Sequence, residues 1–68
     1  MKAFHLEDEG QTWLQICPDD GRDWQEPILG WELIVELDTA KPEHVGLGVS
    51  FPATTYYRHK DGRCIPAM

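Results

Sequence analysis

Between Trp31 and Asp38 the residues alternate in a way that decides the fold class. Trp31, Leu33, Val35 and Leu37 fill one set of alternate positions, and Glu32, Ile34, Glu36 and Asp38 fill the other. A strand sends successive side chains to opposite faces, so this order gives one apolar face and one mainly acidic face. A helix would scatter the three acids around its circumference, and Pro27 and Gly30 interrupt any helix begun upstream. Val45, Leu47, Val49 and Phe51 repeat the alternation, with Gly46, Gly48, Ser50 and Pro52 between them. This predicts a second strand whose small opposite face allows tight bending or close approach of another surface. The apolar faces of both segments are expected in the core, Leu33 and Val49 among them.

Weaker patterns extend the same reading. Lys2 to Asp8 alternates around Phe4 and Leu6, and Thr12 to Cys17 is apolar on both faces. Glu9-Gly10 and Pro18-Asp19-Asp20-Gly21 are turn sequences at the ends of these segments. Thr54 to His59 is rich in β-formers, and Asp61-Gly62 predicts a two-residue hairpin turn into Arg63-Cys64-Ile65. Thr39 to Glu43 is expected to connect, with at most one helical turn, and residues 22–30 to be irregular or to hold a short strand. No long amphipathic helix is available to cover a flat sheet. The expectation is therefore a mainly β fold, a small antiparallel meander of five or six short strands that curls into a partly open barrel.

Sixty-eight residues allow one core and one domain, residues 1–68. A chain this short buries only about 60% of the surface its unfolded form exposes. No run approaches the 18 or so apolar residues of a membrane span. The N-terminal stretch turns acidic at Glu7-Asp8-Glu9 before a signal-type apolar run develops, so a cytoplasmic protein is expected. Cys17 and Cys64 are too few for a disulfide scaffold, and free thiols are expected in a reducing compartment.

Candidate chemistry is sparse. His5, His44, His59, Cys17 and Cys64 could ligate a metal, yet none forms the close pair through which a turn delivers two ligands to one tetrahedron. Only His59 and Cys64 could meet, across a hairpin. Cys17 lies beside Asp19 and Asp20, which disfavour a thiolate, and Cys64 follows Arg63. Glu32 and Glu36 share a strand face about 13 Å apart, too far for paired acid and base work on a glycosidic bond. No enzyme, no cofactor and no metal site is expected.

Charge supplies the functional expectation. The net charge is −6, and residues 1–40 carry ten acids against two bases while residues 41–68 carry four bases against two acids. Such a field repels nucleic acid and anionic lipid, which bind through Lys and Arg, and favours a basic protein surface. The expected role is a stand-alone protein-binding module. It would act as an inhibitor occupying a basic, nucleic-acid-binding surface, as small proteins of phages and mobile elements do, and a homo-oligomer is also compatible. Glu32, Glu36 and Asp38, with Asp19, Asp20 and Asp23, form the acidic candidate surface. Trp13, Trp24 and Tyr57 are the aromatic candidates, since aromatic anchors dominate interface energetics. Trp24, between Asp23 and Gln25, is expected to be exposed. The alternative is a small barrel that binds single-stranded nucleic acid through Tyr56-Tyr57-Arg58-His59-Lys60, where rings stack on bases and cations meet phosphate.

Overall fold

The structure, a computed structural model, describes all residues from Met1 to Met68. It contains eight strands and no helix: β1 (Lys2–Asp8), β2 (Gln11–Cys17), β3 (Trp24–Pro27), β4 (Trp31–Leu37), β5 (Glu43–Val45), β6 (Gly48–Ser50), β7 (Ala53–His59) and β8 (Cys64–Pro66). They form three antiparallel sheets in the orders β1-β2-β3, β4-β7-β8 and β5-β6. None is closed into a barrel. No helix is long and apolar enough to cross a membrane.

Turn chemistry sets the registers. β1 and β2 are joined by Glu9-Gly10, with φ of 51° and 77°, the two left-handed residues that a tight hairpin compatible with strand twist requires. Opposite partners then run from Asp8 with Gln11 to Lys2 with Cys17. The β7–β8 connection is one residue longer than the sequence predicts. His59 N donates to Arg63 O and Gly62 N to His59 O, which makes Lys60-Asp61-Gly62 a three-residue loop with Gly62 at φ 102°.

Residues 45–51, expected as one strand, instead fold back on themselves. Val45 pairs with Gly48 across Gly46-Leu47, so the apolar alternation is divided between β5 and β6. Gly46 at φ 58° supplies the left-handed residue for the turn, and that need prevails over the strand pattern.

The core is thin. Ala3, Leu14 and Ile16 from the first sheet meet Trp31, Tyr57 and Ile65 from the second, and Ile28 and Ala67 pack at the margin. The two sheets join at one edge, where Ala3 bridges Ala67 in parallel and Met68 N donates to Ala3 O. Leu33 and Val49 lie outside the core, contrary to the sequence expectation. Trp31 is buried, whereas Leu33, Val35 and Leu37 on the same face are 49%, 58% and 58% exposed. The first sheet therefore covers only the β4 end at Trp31.

Size measures agree. The radius of gyration is 15.0 Å, against about 11 Å for a compact chain of this length. The accessible surface is 5257 Å², whereas a folded monomer of this mass exposes roughly 4,400 Å².

Leu14 is fully buried, so Leu14→Ala should remove about 2–5 kcal/mol and unfold much of the population. Val49→Ala, at an exposed site, should stay within about 0.5 kcal/mol of the parent. Thermal melts followed by circular dichroism check both, and equal losses would contradict this placement of the core.

Candidate functional site

The open half of the β4–β7 ladder has two different faces and a free edge. Leu33 lies opposite Tyr57, Val35 opposite Thr55 and Leu37 opposite Ala53. The exposed part of that face is Leu33, Val35, Leu37 and Ala53, with Thr55 half-buried beside them and no charged side chain among them. Around the far connection Val45, Leu47, Val49 and Phe51 are also exposed.

β4 pairs with β7 on one side only, and its other edge is the edge of the sheet. Lys60 N donates to Gly30 O and Asp38 N to Pro52 O. Hydrogen-bonded pairs recur at every second residue of an antiparallel ladder, so Glu32, Ile34 and Glu36 direct their backbone groups toward β7. Leu33, Val35 and Leu37 direct theirs outward. The edge thus carries unpaired donors and acceptors beside an apolar face.

The opposite face is polar and partly neutralised. Tyr56 Oη donates to Glu36 Oε1 at 2.8 Å, and this bond to the carboxylate holds the phenol pKa above its ordinary value. Arg58 lies 3.9 Å from Glu32 in a solvent-exposed pair. Ile34 is half-buried between the two acids.

At the covered end a polar cluster ties the two sheets together. Arg63 donates to both carboxylate oxygens of Glu26, at 2.9 and 3.0 Å, and through Nε to Asp61 at 2.9 Å. Its guanidinium lies 5.0 Å from the centre of the Trp31 ring, which His59 meets edge-on at 4.8 Å. Trp24 Nε1 also donates to Glu26. Arg63 holds the Glu26 carboxyl below its usual range, chiefly by hydrogen bonding, with Trp24 assisting. Asp61 is lowered mainly by the Arg63 backbone N–H. A cleft of about 300 Å³ adjoins the open face, lined by His5, Thr12, Ile28, Trp31, Leu33 and Tyr57.

The acidic candidates separate into two groups. Glu32 and Glu36 share the polar face of β4, and Asp38 caps the following turn by accepting from Ala40 N. Asp19, Asp20 and Asp23 belong to the β2–β3 connection, where Asp19 meets the N-terminal ammonium at 2.8 Å and is lowered by it. Trp24 is exposed and Trp13 half-buried. Tyr57 is a core residue, its hydroxyl 2.8 Å from His5 Nδ1, so it presents no exposed ring. Within Tyr56 to Lys60, Tyr56 and Arg58 are engaged by Glu36 and Glu32, which leaves Lys60 as the cation with no side-chain partner.

His59 faces Asp61, and the Cys64 thiol points to Gly62 O at 3.8 Å. Both cysteines are free. Partial burial, with Asp23 nearby, pushes the Cys17 thiol pKa up and keeps it protonated. No cluster of three or more potential ligands is present.

Two features escaped the sequence reading: the failure of the core to cover Leu33, Val35 and Leu37, and the clamp made by Arg63. The first has a signal in the excess of apolar strand positions over what so short a chain can bury. The second pairs residues 37 positions apart, and nothing in either local segment marks it. No known protein family, curated protein or solved structure matches the chain.

Glu26 and Asp61 have folded pKa values below their unfolded ones. Their stabilisation is complete above the unfolded values near 4 and disappears as pH falls through the lowered folded values. Arg63→Met removes the side-chain bonds that lower Glu26 but keeps the backbone N–H that mainly lowers Asp61. It should therefore lower the melting temperature at neutral pH and reduce, without abolishing, its fall between about pH 5 and pH 2. Parallel acid limbs for the parent and the variant would remove Arg63 from this role.

Proposed function

We propose that this chain is a protein-binding module that docks through the open half of β4 and occupies a basic surface of its partner. The observation that carries the reading is the charge-free apolar face of Leu33, Val35 and Leu37, uncovered beside an unpaired strand edge. A sheet with one apolar face gains stability when a second layer covers it.

Charge supports the choice of partner. Glu32 and Glu36 lie on the reverse of the same strand, and residues 1–40 are strongly acidic. Because those two acids point away from the apolar side, a basic partner surface is favoured by the long-range field of the acidic half, which steers its approach, rather than by contact with them across that face. Such a surface is also suited to nucleic acid, so docking here would exclude nucleic acid from it. Inhibition by occupancy is the corresponding mode of action.

Val35→Thr with Leu37→Thr keeps strand propensity and makes the face polar. The immobilised double variant should recover at least about tenfold less partner from a source-cell lysate than the parent, a loss of roughly 1.4 kcal/mol. Nucleic acid should compete with the partner captured by the parent. Capture indifferent to the double substitution would reject this face as the docking site.

A further inference from the structure

Resting on that protein-binding reading, we infer that the partner engages β4 by strand addition, through an extended segment in which Lys or Arg alternates with apolar residues. Leu33, Val35 and Leu37 hold outward-facing backbone groups along the free edge of the β4-β7-β8 sheet. Main-chain hydrogen bonds to such an edge supply affinity, and alternate side chains supply specificity. Residues directly opposite one another in a ladder share a face. An added strand therefore places the residues opposite Leu33, Val35 and Leu37 on the apolar face, and those opposite Glu32 and Glu36 on the acidic one.

The charges choose between occupants. A second copy pairing antiparallel about Ile34 would set Glu32 directly against Glu36 of the other molecule on both sides of the two-fold axis. Like charges directly opposite destabilise a ladder, and each copy carries −6. Pairing about Val35 likewise sets Glu32 against Asp38, so the acids oppose self-pairing in the two registers centred on the open half, while pairing about Leu33 would draw in Gly30 and Trp31 of the closed end. A strand with cations at those two positions turns the same carboxylates into cross-strand partners. Arg58 is 3.9 Å from Glu32, and Tyr56 occupies one oxygen of Glu36, so both acids keep capacity for an incoming Lys or Arg. The residue opposite Ile34 is unconstrained by charge.

The probe is a fluorescent Val-Lys-Val-Thr-Val-Lys peptide, compared with the same peptide carrying Glu at both Lys positions. Anisotropy titrations should show at least about tenfold tighter binding of the Lys peptide at low salt, with preference reversed in the protein carrying Glu32→Lys and Glu36→Lys. Retention of the parent's preference by that variant, or equal affinity of the parent for both peptides, would overturn the charge selection and leave the protein-binding reading in place. Binding of neither peptide up to about 1 mM would overturn strand addition. A sedimenting dimer that Val35→Thr with Leu37→Thr dissociates would assign the edge to a second copy and likewise overturn the inference. The lysate capture with that double variant judges the broader reading separately.

Discussion

A core of six residues cannot cover a seven-residue amphipathic strand along its whole length, and the character of this molecule follows from that shortfall. Trp31 and Tyr57 are sealed against Ala3, Leu14 and Ile16, while two residues further along β4 the same apolar face opens to solvent. Buried apolar area is the dominant favourable term in folding. The open half therefore contributes little to the chain's stability and leaves its apolar surface exposed to solvent. The buried core and the exposed apolar surface occupy opposite ends of one ladder.

The closed end compensates for its small core with directional contacts. Arg63 bridges the sheets through a bidentate pair with Glu26 while its guanidinium stacks over Trp31, a geometry that lysine cannot reproduce. His59 completes the packing around Trp31, and the turn before β4 is fitted closely to it. Gly30 has φ of 90°, and a Cβ there would meet His59 Nε2 at 2.9 Å. The His5–Tyr57 hydrogen bond adds a further side-chain link between the sheets. These contacts fix the end of β4 from which the open half extends.

Much of the fold was legible in local sequence. The alternation from Trp31 to Asp38 specified β4, and Glu9-Gly10 specified the first hairpin, because period and turn chemistry act over a few residues. The second alternating run misled because Gly46 permits a reversal that the apolar spacing alone does not reveal. Burial was harder to read. An alternating strand announces which face is apolar, but whether that face is covered depends on how much chain remains to cover it, and β5 and β6 are too short and too exposed to do so. The acidic residues of β4 were visible as a row. The outward edge beside them emerged only from the register with β7.

Residue-resolved amide hydrogen exchange across β4 tests the central claim most directly. In the free protein, Ile34 and Glu36, bonded to β7, should exchange more slowly than Leu33, Val35 and Leu37 at the open edge. Saturation with a basic, apolar-alternating strand should slow the odd-numbered set to match its neighbours. Equal protection of both sets in the free protein, or an odd-numbered set unchanged in the complex, would contradict an open β4 edge as the docking element.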